Sequence, residues 1–190
     1  DTMLGFMTGF GFVAFYSLAS IPLARLADKT NRVAVICGGL IVWSAATMLS
    51  AFAASAVMLL VFRALVGIGE ASSAGPSQAI LSDYYPPRYR ARVLSVLSMA
   101  TFLGVMLAFA VGGAVSAKYG WRAAYLVAGA PGFLLALLLW FTVKDTPPGR
   151  AARSPAQARA PFGETLRFLL GQKSIVLTTV GFCFTSFVNV

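Results

Sequence analysis

Apolar residues along this chain come in blocks of membrane-crossing length, separated by short polar links. Five blocks are complete, Leu4–Ala24, Val33–Phe52, Val57–Ser82, Val93–Ala117 and Ala123–Val143, and a sixth runs from Ile175 to Val190. A hydrocarbon core of roughly 30 Å is crossed by about 20 helical residues at 1.5 Å rise each. Each complete block therefore predicts one spanning helix. The expected fold class is all-α, a polytopic membrane helix bundle. The last block breaks off partway and the first residue is Asp rather than Met, so we expect at least one span before Asp1 and more after Val190.

The polar links alternate in character, and the alternation predicts orientation. The first carries Arg25, Lys29 and Arg32, the third Arg88, Arg90 and Arg92, and the fifth Lys144, Arg150, Arg153, Arg159, Arg167 and Lys173. The second link has no charge and the fourth holds only Lys118 and Arg122. Of 15 basic residues, 12 thus fall on one side, and the positive-inside bias assigns that side to the cytoplasm. We expect an integral protein of the bacterial inner (plasma) membrane, with links 25–32, 83–92 and 144–173 cytoplasmic.

The fifth link is long and different. DTPPGRAARSPAQARAP, residues 145–161, is rich in Pro, Ala and Arg, and its prolines forbid a continuous helix. GETLRFLLGQK follows, with apolar residues among Arg167 and Lys173, either lying on the inner membrane surface or leading into the final span. The link reads as a seam. It sets the expected domains: 1–143 a transmembrane bundle, 144–173 a cytoplasmic loop, and 174–190 the beginning of a helix of a second bundle.

Composition narrows the function. Hydrophobic residues make up 58%, charged residues 11%, and the mean hydropathy is +0.80, which leaves too little polar surface for a soluble domain. The net charge of +9 lies in the links rather than along one soluble face, so no nucleic-acid partner is expected. Histidine is absent, and Cys37 and Cys183 sit in apolar runs without metal or redox spacing. They read as small buried hydrophobes, and neither metal nor cofactor is expected. An intramembrane enzyme would need a nucleophile–base pair or a metal constellation, which this pattern lacks.

Against that background two charges stand out within one span, in RALVGIGEASSAGPSQAIL. Arg63 and Glu70 are the sole charges between Val57 and Ser82, with Glu70 near the bilayer midplane and Arg63 nearer the start of the span. Ionisable groups at that depth cost kilocalories and face a protein interior or a wet cavity. Seven residues apart, they share a helical face but stand about 10 Å apart along the axis. Each is thereby left open to another partner or a ligand. Arginine stays charged, whereas a glutamate can change its protonation state with its surroundings. The plainer alternative is that both simply pair with other helices and fix the bundle.

Small residues make a second pattern. Ala100, Gly104, Ala108 and Gly112 recur every fourth position, a face on which another helix can approach closely, as do Gly5 and Gly9. Gly67 and Gly69 flank the approach to Glu70, and Pro76 stands one to two turns further along.

LARLADKTNRV, residues 23–33, resembles the cytoplasmic signature G-x-L-A-D-R-x-G-R of the major facilitator superfamily. Leu26, Ala27, Asp28 and Arg32 match, Lys29 replaces an arginine, and Ala24 and Asn31 depart from the two glycines. GWR at 120–122 and RALVGIGEA are similar to further features of that superfamily in the same order, and the glutamate after GIG with SDYYPPRYRARVLS is closest to its spinster-like branch.

The resemblance implies the N-terminal half of a carrier lacking helix 1, covering helices 2 to 6, the central loop and the start of helix 7. It implies a secondary active transporter that moves a small amphipathic or lysolipid-type substrate by alternating access, coupled to protons, with Arg63 and Glu70 lining the cavity. Asp28, Arg32 and Asp83 would form a cytoplasmic gate. The implied partners are membrane lipids, the substrate, protons and the remainder of the same polypeptide. A small organic anion:proton symporter, with Arg63 as carboxylate clamp, and a non-transporting polytopic membrane protein are the alternatives.

Overall fold

The computed structural model describes residues 2–145, 162–174 and 177–178. It is all-helical over these residues: α1 Thr2–Lys29, α2 Arg32–Ser50, α3 Ala56–Tyr84, α4 Pro87–Tyr119, α5 Trp121–Thr142 and α6 Phe162–Gly171. The chain divides into two compact units, Asp1–Arg153 and Ser154–Val190. Helices α1 to α5 make up the first unit, and α6 belongs to the second. Most of the last apolar run, with Cys183, lies outside the described residues, as does the Pro/Arg-rich stretch 146–161.

Each expected span is a helix, and α2 to α5 are long and apolar enough to cross a membrane. The differences are at the ends. Helix α1 runs five residues past its apolar block to Lys29, and α4 starts six residues ahead of its block at Pro87. Hydropathy marks where lipid ends, whereas a helix continues as long as its backbone hydrogen bonds do.

The turns between helices have local causes. Asn31 caps α2 by accepting from the Ala34 N–H at 3.0 Å, and Ser55 caps α3 by accepting from Met58 N–H at 3.2 Å. Proline opens α4, where its missing N–H costs nothing. Between α4 and α5 a single residue turns the chain, Gly120 at φ 83°, a conformation that a side chain would strain.

Helix α2 is the centre of the first unit, packed on α3 along one side and α5 along the other; α1 lies on α3, and α4 leans mainly on α5. Small residues set these contacts. A Cβ on Gly69 would stand 2.7 Å from the Gly39 carbonyl and from Trp43 Cβ and N, and one on Gly39 would strike Ser72. On the α5 side Ser44 fills the space beside Gly129 and Gly132. Backbones that approach so closely gain dispersion contacts, which matter in lipid because burial of apolar area drives little. The same packing buries Ser44, Ser50 and Ser72, each at a helix–helix seam or bonded to its own helix.

The small-residue face of α4 carries no neighbouring helix among the described residues. No residue of α4 is buried, and a Cβ on Gly104 or Gly112 would meet nothing within 4 Å among the described residues. Gly9 is equally open among the described residues. Pro76 is buried within an uninterrupted α3. Cys37 is a buried small residue whose Sγ donates to the Ala136 carbonyl at 3.4 Å.

Candidate functional site

Charged residues gather at two places in the first unit. The first is the end of the bundle where α1 gives way to α2, α3 ends and α5 ends. It is the end that the basic links assign to the cytoplasm. Arg32, the first residue of α2, is 7% exposed. Its Nη1 donates to Asp83 Oδ2 at 2.6 Å, and its Nη2 stands 3.7 Å from Asp28 Oδ1 on the preceding helix. The three residues picked out by the signature motif and the inner end of α3 thus converge on one guanidinium.

The two bonds are unequal. Asp83 has a side chain 13% exposed and a short contact, whereas Asp28 is 54% exposed and distant. A charge-assisted bond strengthens as water is excluded, and a loosely held surface pair contributes little. Arg32–Asp83 is the stronger contact, tying the start of α2 to the last turn of α3.

Sequence reasoning passed over a third acid at this end. Asp145, three residues beyond the end of α5, accepts the backbone N–H of Arg32 through Oδ2 at 3.0 Å. Nearby, Tyr84 donates its hydroxyl proton to the Lys144 carbonyl at 2.6 Å. Beneath them Leu139 and Val143 pack against the core of Val33, Ile36, Cys37 and Ile80. The available signal was an acid immediately after an apolar run, which is too common to single out.

The second place lies within the spans. Arg63 on α3 is half-buried and donates through Nη2 to the Tyr125 hydroxyl of α5 at 2.6 Å. Its guanidinium carbon is 5.3 Å from the centroid of the same ring. Tyr125 is in turn braced edge-on by Trp121, with ring centroids 6.0 Å apart. A guanidinium has five N–H donors, so one bond to tyrosine leaves others for a ligand.

Two turns along α3, Glu70 is half-buried and its carboxylate forms no hydrogen bond or ion pair among the described residues. Its neighbourhood is α1 rather than α5. Gly67 lets α1 come so close that a Cβ there would meet the Phe12 carbonyl at 2.8 Å, and Tyr16 lies within electrostatic reach of Glu70. Phe12 and Tyr16 stack with centroids 5.9 Å apart, forming an aromatic wall beside the glutamate. Arg63 and Glu70 therefore share one face of α3 and answer to different neighbours. Their separation along the axis holds, and neither neutralises the other. No group of three or more metal-ligating side chains exists among the described residues.

A family model, the Major Facilitator Superfamily, matches residues 1–190. The chain is 34% identical over 143 residues to an MFS-type efflux pump of Mycolicibacterium smegmatis, covering 75% of this chain and 33% of that protein. It is 31% identical over 184 residues to human protein spinster homolog 1, covering 94% of this chain and 35% of the other. A crystal structure of a bacterial homolog to the human lysosomal transporter spinster, inward-facing and unoccupied, superposes with a TM-score of 0.70 at 34% identity, over 89% of this chain and 41% of that one. The inward-facing, occupied form gives 0.67 at 37% identity, over 78% and 37%. The chain spans about a third of the length of the curated relatives it matches.

Proposed function

This chain belongs to the major facilitator superfamily, and from that premise we propose that it forms part of a spinster-type secondary active transporter that carries an amphipathic, lysolipid-type substrate by proton-coupled alternating access. The observation that carries the reading is the pair of unneutralised charges on α3. Arg63 is pre-set by Tyr125 with donors to spare, and Glu70 stands at mid-span without a partner among the described residues. A phosphate or carboxylate headgroup fits the first, which offers a planar fork of donors in a place of low dielectric. An apolar tail fits the aromatic and aliphatic surroundings. The second can take up and release a proton as the cavity changes its exposure. A protonation step that differs between two conformations biases their equilibrium, and that bias is what coupling requires.

At the inner end, Asp28, Arg32 and Asp83 act as a gate. Made, the Arg32–Asp83 bond holds α2 to α3; broken, it lets this end spread. The human relative is a spinster homolog, and the bacterial structures are those of a homolog to a human lysosomal transporter. Both agree with a carrier role. The donors that Arg63 keeps beyond its bond to Tyr125 also support a second reading, a small organic anion:proton symporter in which Arg63 binds the carboxylate directly.

Transport by the full-length protein in proteoliposomes tests this. Lysolipids and small organic acids are compared under an imposed pH gradient, in the native protein and in Glu70→Gln. We expect lysolipid uptake that follows the gradient, and a Glu70→Gln carrier that exchanges substrate but no longer concentrates it. Uptake of organic acids alone would select the second reading. A Glu70→Gln carrier still driven by pH would place coupling elsewhere.

A further inference from the structure

The inner end of α2 poses a problem that the gate alone does not solve. The first turn of this helix contains no acidic residue, yet it concentrates the positive end of a helix dipole and the orphan N–H groups of its first residues. Asn31 satisfies one, on Ala34. The N–H of Arg32 is satisfied from 113 residues away, by Asp145. That N–H belongs to the residue whose side chain makes the gate bond. Whatever fixes its backbone also fixes where its guanidinium points.

Three further observations converge there. The Tyr84 hydroxyl holds the Lys144 carbonyl, anchoring the same stretch of chain to the last residue of α3. Val143 and Leu139 pack on the core cluster that includes Val33 and Ile36, one and four residues into α2 beyond Arg32. The other carboxylate oxygen of Asp145, Oδ1, is buried without a hydrogen-bond partner among the described residues. A carboxylate so placed is costly unless its charge is used, and here it faces the positive end of α2 through the Arg32 N–H.

We propose that Asp145 is a positioning residue of the inner gate, fastening the chain beyond α5 to the amino end of α2 and thereby aligning Arg32 with Asp83 and Asp28. The inference rests on the gate reading above. It adds that the central link is attached to the moving part of the gate, so that α5 and α2 travel together when Arg32 leaves Asp83. Asp145 touches neither the substrate nor the proton site. Its effect belongs to the rate of conformational exchange.

The test uses the full-length protein in proteoliposomes, with Asp145→Ala, Asp145→Asn, Asp145→Glu and Asp83→Asn. Losing a side-chain cap at a helix start predicts a drop in turnover of about three- to tenfold in Asp145→Ala, with equilibrium substrate affinity within about twofold. Asp145→Asn, whose amide oxygen still accepts, should fall between Ala and native, and it serves if the alanine variant fails to fold. Asp145→Glu should recover part of the loss. Because both act through Arg32, the alanine change should add little to Asp83→Asn. Native turnover in both Asp145→Ala and Asp145→Asn, with Asp83→Asn slow, would overturn the assignment while leaving the gate standing. Losses that simply multiply in the double variant would overturn it too, as would a change confined to affinity. Native turnover in Asp83→Asn would remove the gate reading, and the role of Asp145 with it.

Discussion

Gly69 offers the sharpest test of how this bundle is held together. It lies on α3 where α2 crosses, and a Cβ placed there would stand 2.7 Å from the Gly39 carbonyl oxygen, from Trp43 Cβ and from Trp43 N. Two of those three atoms are backbone, so no rotamer change relieves the clash. To reach ordinary contact distances near 3.5 Å, the helices would have to part by about 0.8 Å locally. Overpacking of this kind costs about 1–3 kcal/mol, offset by about 0.5–1 kcal/mol because alanine is the better helix former. The net expectation for Gly69→Ala is a loss of about 1–2 kcal/mol, close to a tenfold shift in the folding equilibrium. Gly38→Ala, on α2 beside Gly39, is the matched control: its Cβ would meet nothing within 4 Å among the described residues, leaving only the propensity gain. The assay is reversible unfolding of the full-length protein in mixed micelles, with both variants measured beside the native chain. Gly69→Ala as stable as Gly38→Ala would refute the close approach of α2 and α3.

Three further outcomes are expected. Asp83→Asn should slow transport more than Asp28→Asn, because Asp83 makes the short, shielded bond to Arg32; equal effects in initial-rate assays would count against that ordering. Tyr125→Phe keeps the ring beneath Arg63 but removes the hydroxyl acceptor, so headgroup affinity should change by about three- to tenfold, the value of one hydrogen bond, in equilibrium binding; an unchanged affinity for every anionic ligand would detach Tyr125 from the site. Single cysteines at Arg90 and at Lys118 should be labelled by impermeant reagents from opposite faces, the first from the cytoplasm; the reverse pattern would invert the orientation.

The spans were legible in the sequence because a bilayer dictates length and composition together, leaving few ways to place five apolar blocks. Arg63 and Glu70 were legible for the same reason, since a charge at such depth is conspicuous. What holds each was not. Tyr125 is 62 residues from Arg63 and Asp145 is 113 from Arg32, and such pairings depend on helix order within the bundle, which no local pattern encodes. The glycines illustrate the limit from the other direction. Gly69 and Gly104 look alike in sequence, yet one is pressed between backbones and the other is open among the described residues. Periodicity says that a helix can be approached closely, and topology decides whether it is.

The unequal helix lengths carry a consequence of their own. Helices α2 and α5, of 19 and 22 residues, measure about 28 and 33 Å, close to a hydrocarbon thickness of about 30 Å. Helices α1, α3 and α4, of 28, 29 and 33 residues, measure about 42, 44 and 50 Å. The long members can accommodate a bilayer by tilting or by extending beyond it, while the short ones have no spare length. The seams at Gly39–Gly69 and Ser44–Gly132 bind the short α2 to a long neighbour and a short one. A change in acyl-chain length therefore bears unequally on α2 and α3, the two helices whose ends Arg32 and Asp83 join.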